Sequence, residues 1–332
     1  MNITIFTDAW DPQINGVVTT LKTTVEHLKK RGYDVVVVHP GLYKLTVPLQ
    51  PSTGIFMPIL PMGIADEEVK NADYIHIATE GAIGLAARYS CKKYKKSYTT
   101  SFHTKYPEYV KIHTGISPRV SGKYFRWFHR NSSSVMVTTP SMVDYCAELG
   151  IKNLKVWSRG VDTTLYRPDY EVKNKPIRAI RAVYCGRISA EKNIEAFLSI
   201  KDTLIRKTLI GDGPQLEEYK LKYPKAKFLG KMNKYQIANE LRKHDVFAWP
   251  SLTDTFGLVV LEGMACGLPV AAFDNEVNQY IIEDGVSGFL TKNNLELAIE
   301  QAANLSSEDA VERAKKFSWE AATDQFLENL IV

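Results

Sequence analysis

Glu262 is the only charged residue between Leu258 and Cys266 in the stretch SLTDTFGLVVLEGMACGLPV (251–270). A carboxylate set in an apolar helix must find a partner, because taking its charge out of water is costly. The vicinal hydroxyls of a ribose would satisfy both of its oxygens, and a buried pair with an Arg or Lys would do so equally well. Gly257, at the start of the same predicted helix, offers free N–H groups and a favourable dipole to an anion such as phosphate. Asp254, eight positions before Glu262, is either a second ligand-facing carboxylate or the cap of the helix.

Three other stretches could join that chemistry. YCGRISAEKN (184–193) places Arg187 and Lys192 just after a predicted strand. Two cations near a helix start suit a diphosphate, although an ordinary solvated loop would read the same. LIGDGPQ (209–215) has Gly211 and Gly213 but lacks the third glycine of a dinucleotide fingerprint, so it is equally a tight strand–helix turn. TSFHTKYPEY (100–109) puts His103 at a strand end, as a substrate-facing or a structural imidazole.

These residues need strand ends to position them. ITIFT, DVVVVH, DYIHIAT, SYTTSF, SVMVTT and LKVWS read as strands of a first half, alternating with helical stretches such as NGVVTTLKTTVEHLKKRG, which stops at Gly32. A polar stretch, RPDYEVKNKP (167–176), reads as a linker, and the alternation then restarts with AVYCG, KTLIG, KFLG, VFAWP, PVAAF and GFLT. The pattern predicts two doubly wound α/β domains facing a cleft, with ligands beyond the carboxyl ends of the strands.

Composition narrows the function. The 332 residues suggest two domains with ample core, 45% being hydrophobic and 24% charged. No apolar run approaches the ~20 residues of a membrane span. The opening MNITIFTDAW reads as a strand and not as a signal peptide, which gives a cytoplasmic expectation. Four cysteines without metal-ligand spacing and scattered histidines lead us to expect no metal. Residues 1–168 carry 21 basic against 13 acidic side chains, and residues 88–130 carry eleven against the single Glu108. Lys92, Lys93, Lys95 and Lys96 cluster there. Lys123, Arg126 and Arg130 follow, interleaved with Tyr124, Phe125, Trp127 and Phe128. Basic residues with aromatic anchors suit an anionic membrane surface or single-stranded nucleic acid. A nucleic-acid-binding protein is thus the non-enzyme alternative, but it leaves Glu262 unexplained and shows no recognisable binding module.

DPQINGVV, FHT, SRGVDTTLYRP, GRISAEKN, IGDGP, FAWPSLTDTFGLVVLEGMACGLPV and EDGVSGFL, in this order, resemble the retaining glycosyltransferases of family 4, and so does the closing FSWEAATDQFLENLI. The resemblance implies a GT-B fold. Residues 1–168 would form an acceptor- and membrane-binding Rossmann-like domain, completed by a C-terminal helix (317–332) that crosses back to it. Residues 169–316 would form the nucleotide-sugar domain. In that family's pattern Arg187 and Lys192 neutralise the diphosphate, Glu262 holds the ribose, and the Phe256–Gly257–Leu258 backbone meets phosphate. Gly16 lets an N-terminal loop approach, and the base rests near Gly230, Lys231 and Met232. His103 and Asp254 sit at the reacting sugar. The usual E-x7-E is here D-x7-E, a shorter reach at Asp254.

FTDAWDPQINGVVTTL, HIATEG, FHTKYPEY and WSRGVDTTLYRP are most similar to bacterial enzymes that glycosylate membrane lipids, and related mannosyltransferases share much of the pattern. The resemblance therefore implies hexose transfer from a nucleotide sugar to a lipid, with no metal or other cofactor. UDP-glucose comes first, UDP-galactose or UDP-glucuronate next, and diacylglycerol is the leading acceptor. GDP-mannose-dependent transfer to a lipid-linked or cell-envelope glycan is the alternative. The expected partners are the nucleotide sugar, the lipid acceptor and an anionic membrane surface, with no nucleic acid. A monomer or weak dimer at the inner face of the membrane is expected.

Overall fold

A computed structural model describes residues 1–13, 15–50, 55–59, 61–103, 105, 107, 117–169, 179–252, 254 and 256–330. Glu108 and most of the expected linker lie outside these described residues. The chain divides into two compact units, Met1–Arg159 with Trp319–Val332, and Gly160–Ser318.

The first unit is built on a parallel sheet of β1 (Asn2–Phe6), β2 (Asp34–Val38), β5 (Tyr74–Ile77), β6 (Thr99–Phe102), β7 (Val135–Val137) and β8 (Leu154–Val156), in the order β2-β1-β5-β6-β7-β8. Between them, β3 (Thr46–Gln50) and β4 (Ile55–Pro58) pair antiparallel as a small separate ribbon. No run of alternating residues in the sequence marks this ribbon. Pro48 and Pro58 each remove a ladder donor and break the alternation that marks a strand, which a two-stranded ribbon tolerates. Helix Gly16–Lys30 begins where the Asn15 side chain accepts from Val17 and Val18 N–H, and Gly32 follows it at φ +84°.

The second unit repeats the plan with β9 (Ile180–Cys185), β10 (Ile205–Ile210), β11 (Lys227–Phe228), β12 (Val246–Trp249), β13 (Val270–Phe273) and β14 (Gly288–Thr291), in the order β11-β10-β9-β12-β13-β14. All pairings are parallel, so every carboxyl end lies at one edge of the sheet. The strand order reverses between β9 and β12. In this fold class such a reversal marks the crevice in which ligands bind, beyond the carboxyl ends of the strands.

The boundary falls at Arg159/Gly160, not at 168, and the returning helix starts at Trp319, not at 317. Val161 N–H donates to the Phe317 carbonyl at 2.8 Å, and Val161 and Tyr166 are buried in the second core. These contacts draw residues 160–168 into the second unit. Helix Trp319–Asn329 belongs to the first. Fully buried Phe326 lies 4.9 Å from the Trp157 ring, and Gln325 accepts from Ser158 N–H at 2.8 Å. Burying one such phenyl contributes about 1.5–3 kcal/mol, enough to hold the chain end on the first core.

Candidate active site

The β9/β12 crevice carries the residues singled out as phosphate ligands. Tyr184 and Trp249, on these adjacent strands, are buried and stack 5.6 Å apart with an 11° interplanar angle. The Tyr184 hydroxyl donates to the Arg187 carbonyl at 2.8 Å, which fixes the loop after β9. Arg187 itself is exposed. Among the described residues its guanidinium forms no ion pair. Lys192 lies 5.5 Å from the Trp249 ring centre, and its Nζ donates to both Asp254 oxygens, at 2.8 and 3.0 Å. The structure thus joins two residues for which separate ligand roles are expected. The pair bridges the two loops that flank the crevice.

Gly211 and Gly213 have a structural explanation. Gly211 has φ +140°, and a Cβ there would lie 1.8 Å from the Gly186 carbonyl oxygen; at Gly213 it would lie 2.2 Å from that of Ile188. The two glycines let the loop after β10 pack flush on the loop after β9. Gly230 follows β11, and its carbonyl accepts from Gly211 N–H at 2.9 Å. Lys231 is exposed beside it, while Met232 is half-buried against the core.

Helix Leu258–Ala265 starts at Gly257 in the left-handed region (φ +80°), with no side-chain cap. Asp254 is therefore not its cap. The Phe256 side chain is buried near Tyr280 and Phe317, so only the backbone of Phe256–Leu258 is placed for a ligand. Glu262 is half-buried, and among the described residues no cation pairs with it. Its partner is the Tyr166 hydroxyl, a donor whose pKa is driven up by burial and then by the Glu262 charge. Burial lifts the Glu262 carboxyl to about 7, and the Tyr166 bond opposes this only in part. A phenol supplies one hydrogen bond, whereas a carboxylate accepts about four. Sequence spacing could not reveal Tyr166, since 96 positions separate it from Glu262.

In the first unit, His103 follows β6 and is buried. Arg159 Nη2 lies 2.6 Å from its Nδ1, while its Nε2 is buried with no hydrogen-bond partner among the described residues. Burial, then the Arg159 charge, holds the ring well below the usual histidine pKa. Burial also lowers Arg159 to about 9. Gly16 opens its helix at an exposed position with open space around it. Asp8 ties the loop after β1 to the loop after β5, accepting from Thr79 Oγ1 at 2.7 Å and Ile83 N–H at 2.9 Å.

The basic–aromatic segment forms helix Pro118–His129. Lys123, Tyr124, Arg126, Trp127 and Arg130 are exposed, as are Lys92, Lys93 and Lys95. Phe128 is fully buried and Phe125 nearly so, which corrects the expectation that Phe128 meets a membrane: it lies on the core-facing side of the helix. Lys93 pairs with Asp66 at 2.6 Å, and Lys96 Nζ donates to the Ala72 carbonyl at 3.0 Å, so both are partly engaged within the unit. Arg88 donates to the Phe128 and Trp127 carbonyls and lies 4.2 Å from the Trp127 ring centre, fixing that ring at the surface. No helix among the described residues is long and apolar enough to cross a membrane. Nor, among the described residues, do three His, Cys, Asp or Glu side chains group as metal ligands would.

Comparison with known proteins agrees with this layout. Residues 14–165 match the model for Glycosyltransferase Family 4, and residues 179–308 that for Glycosyl transferases group 1. The chain is 27% identical to the sulfoquinovosyl transferase SQD2 of Arabidopsis thaliana, over 93% of this chain and 69% of that protein. It is 24% identical to a GDP-mannose-dependent alpha-mannosyltransferase of Corynebacterium glutamicum (99% and 88%). It is 26% identical to an alpha-monoglucosyldiacylglycerol synthase of Streptococcus pneumoniae (87% and 75%). Among solved structures, Anabaena Alr3699/HepE in complex with UDP and glucose shares the fold, with a TM-score of 0.72 at 18% identity over 99% and 98% of the two chains.

Proposed function

This chain belongs to the family 4 glycosyltransferases, with the two doubly wound units of the GT-B fold, and from that premise we propose that it transfers a hexose from a nucleotide sugar to a membrane-lipid hydroxyl. UDP-glucose is the favoured donor, with UDP-galactose or UDP-glucuronate next, and diacylglycerol the favoured acceptor. The observation that carries this reading is the convergence of Arg187, Lys192, the uncapped start of helix Leu258–Ala265 and Glu262 at one carboxyl edge of the second sheet. Cations and helix-start N–H groups stabilise the departing diphosphate, a preorganised electrostatic site that works without a metal. Glu262 takes the ribose hydroxyls in place of, or beside, Tyr166.

Transfer proceeds with retention. The bond from the anomeric carbon to phosphate oxygen breaks, a bond to the acceptor oxygen forms on the same face, and the acceptor proton passes to the departing phosphate. Asp254 and His103 position the sugar. The exposed face of helix Pro118–His129 supplies the anionic-membrane contact, with Trp127 as the anchor and Lys123, Arg126 and Arg130 around it. On this reading the protein works peripherally, at the inner face of the membrane. Relatives that use GDP-mannose support a second reading, mannosyl transfer to a lipid-linked or cell-envelope glycan. The test is purified protein with diacylglycerol-containing anionic vesicles and a panel of UDP- and GDP-sugars. A glycolipid from a UDP-hexose supports the first reading; product from GDP-mannose alone supports the second.

A further inference from the structure

Arg159 and His103 lie 56 positions apart in sequence, yet both are buried and joined by the 2.6 Å contact from Nη2 to Nδ1. A guanidinium has only donors, so Nδ1 must accept. An imidazole that accepts at Nδ1 and is neutral carries its proton on Nε2. We propose that Arg159 is a positioning residue, which locks His103 as the Nε2–H tautomer and presents that N–H as a fixed donor to an acceptor oxygen of the bound sugar. This rests on the reading of His103 beside the donor sugar.

Two observations support the assignment. Arg159 is itself held. Its Nη1 donates to the Trp157 and Ser158 carbonyls at 3.2 and 3.4 Å, and the guanidinium lies 4.8 Å from the Trp157 ring centre. His103 Nε2, in turn, is buried without a partner among the described residues. An unmet buried donor is unfavourable, so a substrate oxygen placed there recovers what folding leaves unsatisfied. The charged and titratable groups around His103 are Arg159, His76 and His129, all of which oppose a second proton on the ring. His76 is occupied by Thr99 and Ser101, and His129 by Thr100 and Glu80. No carboxylate pairs with His103 among the described residues, and burial together with the Arg159 charge disfavours its imidazolium.

The test is nitrogen NMR of the full chain labelled at histidine, with His103 assigned from the spectrum of His103→Asn. Wild type should show a protonated Nε2 and a bare Nδ1 at every pH from about 5.5 to 8, below and above the ordinary histidine pKa. Arg159→Met should release the ring to a tautomer mixture. It should also lower turnover by about tenfold or more at unchanged nucleotide affinity, the scale of losing one preorganised donor. Arg159→Lys, which keeps a donor, should recover part of both effects. An Nδ1–H or imidazolium signal in wild type overturns the proposal without reference to any variant's folding. An unchanged tautomer in well-folded Arg159→Met overturns it too. A fully active His103→Ala overturns the catalytic half by removing His103 from the sugar, whatever the tautomer.

Discussion

If Glu262 holds a ribose, donor affinity must depend on its protonation. Burial lifts this carboxyl from 4.5 to about 7. At pH 6 about one tenth of the molecules carry the charged form, and at pH 8 about nine tenths. Hydroxyl groups that donate to the carboxylate bind only that form, so the apparent affinity scales with its fraction and should rise about tenfold from pH 6 to pH 8. UDP-glucose and GDP-mannose suit the assay because their diphosphate esters do not titrate in this window. Calorimetry in two buffers of different ionisation enthalpy should show proton release on binding that is greatest below pH 7. The same residue acts on stability. A raised folded-state pKa means the native state holds the proton more tightly. Its stabilising contribution is therefore full below about pH 4.5 and lost as pH rises through about 7. The shift corresponds to about 3 kcal/mol. Glu262→Gln keeps the shape without the charge, so its stability relative to wild type should grow by up to about 3 kcal/mol between pH 4.5 and 8, while its nucleotide affinity becomes low and flat with pH. A flat wild-type affinity from pH 6 to 8, or a Glu262→Gln variant that binds as well as wild type at pH 8, would refute the ribose assignment.

Three further outcomes follow from the geometry. Asp254 occupies Lys192 in the crevice. Asp254→Asn should therefore raise affinity for a plain nucleoside diphosphate while lowering transfer, and Lys192→Met should lower that affinity by about tenfold or more; equal affinities in the two variants would contradict competition for the ammonium. Gly211→Ala drives a methyl to 1.8 Å from the Gly186 carbonyl at a φ that alanine rarely adopts, and urea denaturation should show a loss of about 2–4 kcal/mol. Replacing Lys123 and Arg126 together by Gln should weaken binding to phosphatidylglycerol vesicles by about 2 kcal/mol, about thirtyfold, at low salt. Unchanged sedimentation with those vesicles would move the membrane contact elsewhere.

The sheets were legible in the sequence because each strand is a short β-rich run bounded by turn residues, and all twelve expected strands form. The ribbon β3–β4 was not, since its prolines erase the alternation. The unit boundary is not legible, because RPDYEVKNKP has the composition of a linker, whereas the pairing of Val161 with Ser318 depends on a segment over 150 residues away. The anomalous charge of Glu262 was visible, but the identity of its protein partner was not: Tyr166 reaches it only through folding. The Lys192–Asp254 pair and the Arg159–His103 contact are likewise tertiary, joining loops whose spacing in sequence carries no signal. Phe128 reads as membrane-facing because aromatic and basic residues alternate along one helix, whereas only one side of that helix faces out and Phe128 lies on the other.

The proposed reaction is retaining hexosyl transfer from a nucleotide sugar to a membrane lipid. Its most direct measurement is NMR of lipid recovered after incubating the protein, free of added metal, with diacylglycerol vesicles and each UDP- or GDP-hexose. The one-bond carbon–hydrogen coupling at the anomeric centre reports both product and stereochemistry. Retaining transfer to the lipid yields a glycolipid whose anomeric configuration equals that of the donor. A product of inverted configuration would contradict the mechanism, and no glycolipid from any donor would contradict the lipid acceptor.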